Sequence, residues 1–219
     1  MLVFDSPSAF EPAPAGTHPV RCSQLVDLGT TESNFDGQTR LRRRVRLVFE
    51  ICDPELSAAN GEPFAIARSF TLSLSERSAL RPFLEGWRGQ AFGNEAVKGF
   101  DLKTILGAPG LASVVHETRA DGRTFANVKA VAKLPRGMSV SQLRDAPLYW
   151  DMSDPAKADW AAFGRLSSKT QEAIALTPEY AKLKAPKTIN LAPPSPAAGA
   201  GSGFDDMPTE PDFDDAPAF

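Results

Sequence analysis

Cysteine, histidine and tyrosine are all scarce in this 219-residue chain, with two of each. Cys22, Cys52, His18 and His116 are too widely separated for a structural zinc, which wants four clustered ligands, usually in close pairs. Both cysteines read as small core hydrophobes on strands. No apolar run approaches the roughly 18 residues that a membrane helix needs. The start, Met-Leu-Val-Phe-Asp-Ser-Pro, lacks a basic region followed by a long apolar run. A reduced, cytoplasmic setting and no membrane partner are therefore expected. A Walker loop, a Gly-x-Gly-x-x-Gly turn and a serine nucleophile elbow are also missing. Asp27, Glu50 and Asp53, the carboxylates a Mg²⁺-dependent nuclease would draw on, are not grouped in sequence. The expectation is a non-enzymatic protein with no metal and no cofactor.

Positive charge is missing from one end only. All 24 Lys and Arg precede Asn190, together with 21 of the 27 acids. The body is therefore mildly basic at +3, and the tail, at −6, brings the chain to −3. Such a pairing suits a nucleic-acid binder whose tail can mimic the polyanion. The tail, Phe204-Asp-Asp-Met-Pro-Thr-Glu-Pro-Asp-Phe-Asp-Asp-Ala-Pro-Ala-Phe219, follows a linker rich in Pro, Ala, Gly and Ser. It has too little apolar surface to fold alone and is expected to be disordered. It offers a partner carboxylates for a basic rim and an aromatic for a pocket. The candidate partner-binding residues are Asp212, Phe213, Asp214, Asp215, Pro217 and Phe219. An acidic solubilising tail is the plainer alternative.

Between these ends the periodicity predicts five strands and one principal helix. Strands are expected at His18–Leu28, 39–52, Phe64–Leu74, Gly110–Thr118 and Thr124–Leu134. Gly29–Gln38 reads as a polar loop, and 120–123 as a hairpin turn. A helix starting near Ser75 would bury Leu80, Phe83, Leu84 and Trp87, with Pro82 marking a kink or second start. A shorter helix is expected within 95–106. The order β-β-β-α-β-β is that of an OB-fold, a five-stranded Greek-key barrel that binds oligonucleotides and oligosaccharides. The expected organisation is an N-terminal arm (1–16), the barrel (17–134), a helical extension packed on it (135–190) and the linker and tail (191–219).

The second strand carries the chemistry. In Thr39-Arg-Leu-Arg-Arg-Arg-Val-Arg-Leu-Val-Phe-Glu-Ile-Cys52, alternation puts Leu41, Arg43, Val45, Leu47, Phe49 and Ile51 on one face. Arg40, Arg42, Arg44 and Arg46 share the other, about 7 Å apart, close to the phosphate repeat of an extended single strand. Aligned guanidiniums repel each other unless an anion neutralises them, and their planes also stack on bases. A solvated strand face is the competing reading. Further nucleic-acid candidates are Phe35, Arg68, Phe70, Arg123, Phe125 and Lys129. Phe35, Phe70 and Phe125 are equally candidates for packing, Phe35 over the barrel rim and the other two in the core.

Two resemblances rest on named segments. The tip Asp-Asp-Ala-Pro-Ala-Phe219 resembles the C-terminal tip of bacterial single-stranded DNA-binding proteins, with one extra Ala between Pro and Phe. From about Pro14 to Tyr180 the chain resembles single-stranded DNA-binding proteins of tailed bacteriophages. The carrying segments are Pro14-Ala-Gly-Thr-His, Val26-Asp-Leu-Gly-Thr30, Arg68-Ser-Phe-Thr-Leu-Ser73, Trp87-Arg-Gly-Gln-Ala-Phe92, Phe100-Asp-Leu-Lys-Thr-Ile-Leu-Gly107 and Asp121-Gly-Arg-Thr-Phe-Ala-Asn127. The resemblance implies an OB-fold that coats single-stranded DNA during phage replication, recombination or repair, inside the bacterial host. Its tail would recruit replication or recombination proteins, and a homo-oligomer is compatible with it. The competing class is a barrel that binds an acidic protein or a sugar and no nucleic acid.

Overall fold

The computed structural model describes residues 11–184 apart from 36, 37, 95, 96, 98, 119–121 and 123. Contacts divide the chain into Met1–Ala185 and Pro186–Phe219, and every described residue lies in the first unit.

Alternating apolar residues build the sheet. Its strands are β1 (Gly16–Phe35), β2 (Gln38–Ile51), β3 (Ala65–Thr71), β4 (Pro109–Thr118), β5 (Thr124–Ala132) and the short β6 (Leu148–Trp150). The antiparallel path runs β3-β2-β1-β4-β5, and β6 lies parallel to β1. β1 bends between two neighbours. It pairs with β4 over Gly16–Arg21 and with β6 over Gln24–Val26, with register shifts at Cys22/Gln24 and Asp27/Gly29. The chain is thus mainly β, with helices after the sheet. No helix among the described residues is long and apolar enough to cross a membrane.

One face of β2 (Val45, Leu47, Phe49, Ile51) meets Leu25, Cys22 and Val20 of β1 and Phe70 and Ile66 of β3 in the core. Helix α1 (Leu80–Arg88) closes this core. Its buried residues are Leu80, Phe83, Leu84 and Trp87, the face expected from spacing. Phe49 meets Trp87 edge-on at 5.3 Å, and Phe70 meets Phe83 at 4.8 Å. The helix begins at Leu80, later than expected, with the Ser78 hydroxyl accepting the Leu80 N–H. Pro82 is therefore in the first turn, where its missing N–H has no helical acceptor to lose, and no kink results. Trp87 donates to the Pro109 carbonyl at 2.9 Å. Its ring lies so close to Gly110 that a Cβ there would sit 2.8 Å from Nε1 and 2.5 Å from Val131. Only glycine fits. Within the 95–106 span, where a shorter helix is expected, Val97 is helical, residues 95, 96 and 98 lie outside the described residues, and Leu102–Ile105 forms a 3-10 turn capped by Asp101.

Cys22 and Cys52 are buried free thiols. Burial pushes the Cys22 thiol up to about 12, so it stays protonated and inert at neutral pH. The N-terminal approach is fastened by the two histidines. The ring N–H of His18 donates to the Pro14 carbonyl and that of His116 to Ala13, at 2.9 and 2.8 Å.

A second apolar cluster lies on the opposite face of β1. Val26 and Leu28 pack with Leu148, Trp150 and Met152. They also meet residues of α2 (Trp160–Gly164), the loop after it and α3 (Ser168–Ala175). α4 (Pro178–Lys184) completes this layer. Two ties fix it to β1. Gly29 has φ +72°, and a Cβ there would strike Thr177 at 2.6 Å. The backbone N–H of Thr30 donates to Glu179 at 2.8 Å, and the Thr30 hydroxyl donates to the other carboxylate oxygen.

Between the two clusters sits Asp27, a buried carboxylate with four donors. Oδ1 accepts from the Gly29 N–H (2.9 Å) and Arg43 Nε (3.3 Å). Oδ2 accepts from the Met152 N–H (3.2 Å) and Arg43 Nη2. Asp27→Ala strands an arginine and two backbone donors, and should lower the unfolding free energy by about 3 kcal/mol in urea titration. Asp27→Asn, which keeps one acceptor oxygen, should cost less.

Candidate nucleic-acid interface

Of the polar segment Gly29–Gln38, expected as a loop, Gly29–Phe35 and Gln38 are strand. β1 continues to Phe35 and β2 resumes at Gln38, in register throughout as Gly29↔Arg44, Thr31↔Arg42 and Ser33↔Arg40. β3 stops pairing at Arg44 and β6 at Val26. The two strands therefore run past the sheet as a two-stranded ribbon. This explains Leu41, which alternation puts on the core side of β2 but which is 71% exposed. At that point no core remains beneath it.

Arg40, Arg42 and Arg44 lie along the outer face of this ribbon. Their cross-strand neighbours are small or polar: Ser33, Thr31 and Gly29 on β1, and Thr71 beside Arg44 on β3. Among the described residues neither Arg42 nor Arg44 has a hydrogen-bond acceptor or a carboxylate partner. Arg46 departs from the expected row. It donates to the Thr170 hydroxyl of α3 at 2.9 Å and to Ser69 at 3.3 Å. Burial, reinforced by the charge of Arg44, depresses its pKa. The extension has taken this arginine as an anchor, which leaves Arg42 and Arg44 as the row's members without a partner among the described residues. Arg43, on the opposite face, pairs with Asp27 and lies 3.7 Å from Asp151.

The β3 candidates are corrected. Phe70 is 3% exposed and packs on Phe83, so it is a core ring and not a base platform. Arg68 faces the same way, its guanidinium 4.9 Å from the centre of the Phe70 ring and 5.3 Å from that of Phe83. It donates to the carbonyls of Val128 (2.7 Å) and Lys129. β3 and β5 are the two ends of the sheet path, so Arg68 is a strut between edges and is not offered to a phosphate. Burial depresses its pKa as well.

On β5, Lys129 is exposed but paired with Glu117 at 2.6 Å, and Asn127 donates to the same carboxylate at 2.7 Å. The Lys129 ammonium holds Glu117 below the usual glutamate range. Phe125 is half-buried opposite Glu117. Arg123, the side chain of Phe35, and the tail residues Asp212, Phe213, Asp214, Asp215, Pro217 and Phe219 lie outside the described residues.

The carboxylates considered for Mg²⁺ are dispersed. Asp27 is saturated, Glu50 accepts from the Arg144 N–H, and Asp53 caps the Glu55 N–H. Among the described residues no group of three or more His, Cys, Asp or Glu is placed to hold a metal.

Sequence reasoning missed the latch that sets the ribbon's base. Thr177 and Glu179 are nearly 150 residues from Gly29 and Thr30, and no local pattern joins them. Burial pushes the Glu179 pKa up, but the hydrogen bonds from Thr30 and the charge of Arg43 outweigh it and leave the group below its ordinary range. A carboxyl depressed on folding stabilises fully above its unfolded pKa, about 4.3 for glutamate, and the contribution is lost as pH falls through the lower folded value. The latch should therefore hold at neutral pH and loosen in acid below about pH 4. Amide hydrogen exchange checks this: Thr30 protection should fall in acid, whereas Glu179→Gln should show reduced protection already at pH 6 and little further change.

No family model matches this chain, and neither does any curated protein or solved structure.

Proposed function

We propose that this chain is a single-stranded DNA-binding protein built on an OB-type barrel, as the phage resemblance implies. Supporting the fold reading are the strand path β3-β2-β1-β4-β5, the bridge from β3 to β5 through Arg68, and helix α1 packed under the sheet between β3 and β4. An OB-fold joins five strands in this order and closes β3 against β5.

The observation that carries the functional reading is the unpartnered pair Arg42 and Arg44, flanked by Arg40, on the outer face of a projecting ribbon. Like charges held on one face raise the free energy of the unbound protein, and a polyanion removes that cost. Side chains two apart on a strand lie about 7 Å apart, so successive arginines meet successive phosphates of an extended strand. Each neutralised phosphate releases condensed counterions, so affinity falls steeply with salt. The contacts are to backbone phosphates and carry no sequence information. The protein coats and protects DNA intermediates of phage replication or recombination in the host cytoplasm, and its acidic tail recruits partner proteins. The chemistry is binding alone.

The decisive experiment is fluorescence anisotropy of the full chain with labelled oligo-dT of about 30 nucleotides and an equal-length duplex across a salt series. Binding should favour the single strand and weaken linearly in log salt. Arg42→Ala with Arg44→Ala should weaken it strongly and reduce the salt slope by about 1.4, or roughly 0.7 per lost phosphate contact. An unchanged slope, or equal weak binding to single strand and duplex, points instead to a protein or sugar ligand.

A further inference from the structure

The end of the sheet from which the ribbon departs is hollow. A cavity of about 210 Å³ opens between β2, the residues after β3 and the Phe100–Leu102 stretch. Leu25, Val45, Leu72, Phe100 and Leu102 make its walls. Leu72 is 39% exposed and sits at the mouth. A second hollow of about 190 Å³ shares Leu72, Phe100 and Leu102, so the apolar cleft continues beyond the first cavity.

The polar lining of the cavity comprises Asp27, Arg43, Asp101, Tyr149, Asp151 and Ser153, and Asp101 accepts the Lys103 N–H at 2.8 Å. Arg43 uses Nε and Nη2 on Asp27 and keeps Nη1 without a partner among the described residues. Asp151 accepts the Ser153 N–H at Oδ1 (2.9 Å), and the Ser153 hydroxyl (2.6 Å) and Tyr149 hydroxyl (3.1 Å) at Oδ2. Oδ1 therefore retains accepting capacity. Burial and the neighbouring Asp151 push the Tyr149 phenol up to about 12, so it stays a donor. Burial alone would raise the Asp151 pKa, but those hydrogen bonds and Arg43 outweigh it and keep the group ionised. The cleft thus sets apolar walls beside the Asp151 acceptor and the Arg43 donor, an arrangement that can orient a flat polar heterocycle.

Arg43 lines this cleft on one face of β2, while Arg42 and Arg44 on either side of it lie on the other. We infer that the cleft takes a nucleobase from a single strand held on the ribbon, and that it favours a base carrying an exocyclic amino group over thymine. The inference rests on the single-strand reading above. Cytosine can give its amino N–H to Asp151 while its ring nitrogen or carbonyl accepts from Arg43. Thymine's one donor lies between two carbonyl oxygens, so bringing it to a carboxylate brings an oxygen against that charge as well.

The test compares labelled oligo-dC and oligo-dT of about 30 nucleotides on the full chain at one salt concentration. Oligo-dC should bind about fivefold more tightly. Asp151→Asn keeps the Ser153 turn but lets the side chain donate as well as accept, and should bring the ratio to about one. Leu72→Trp fills the mouth and should also erase the preference. Thermal unfolding of both variants confirms that they fold. Equal wild-type affinity for the two homopolymers, or a preference that survives both variants, overturns the base site and leaves the single-strand reading standing. Failure to bind either homopolymer overturns both.

Discussion

The Asp27 carboxylate organises what surrounds it. Its four donors come from the β1 bulge, from Arg43 of β2 and from Met152 just beyond β6. A carboxyl group with 6% of its surface exposed is tolerated only when its accepting directions are used. That requirement fixes three separate segments at one point. It holds Gly29 in its left-handed conformation, beside which Thr177 packs. It also occupies Arg43 on the core side, which leaves only the alternate arginines outside. The direction in which the ribbon leaves the sheet depends on this one residue and on the Thr30–Glu179 latch next to it.

The arginine row shows how a protein divides an electrostatic cost. Arg46, nearest the sheet, is relieved by hydroxyl acceptors from Ser69 and Thr170 and no longer needs an anion. Arg68 and Lys129, which looked like extensions of the basic surface, are likewise absorbed, one by carbonyls and the other by Glu117. Arg42 and Arg44 have no such relief among the described residues. Exposed guanidiniums without partners are individually ordinary. Two in one row, on a ribbon with no core beneath it, serve no packing purpose that the structure reveals. Burial depresses the pKa of both anchoring arginines, Arg46 and Arg68.

How much of this was legible in sequence depended on the range of the interaction. The β2 alternation and the buried face of α1 follow from side-chain period alone, and both appear as expected. Gly29–Gln38 failed because its Gly, Thr, Ser and Asn residues resemble a loop. A strand that runs past the core can carry polar residues, so the hydrophobic signal was absent where the strand was present. β6 has three residues and no period to detect. The identities of Arg46 as anchor and Arg68 as strut needed partners 124 and 60 residues away. Phe70 was ambiguous because its row mixed apolar and basic residues. The structure shows why: Arg68 lies in the core-side row with its guanidinium over two rings and bonded to carbonyls.

The ribbon and the cleft are two consequences of the same period. Successive residues of a strand point to opposite faces, so Arg42, Arg43 and Arg44 cannot act on one surface. A ligand that engages all three must pass along an edge of β2, with its charged repeat on one side and something flat and weakly polar on the other. An extended single strand has that form: phosphates along one side and bases free to turn away. A duplex does not, because its bases are already paired and stacked inside. An acidic peptide could satisfy Arg42 and Arg44, but a carboxylate carried into the hollow beside Arg43 would be set against Asp151. On the proposed reading, shape, charge and period therefore point to the same ligand class without any base-specific contact on the ribbon itself.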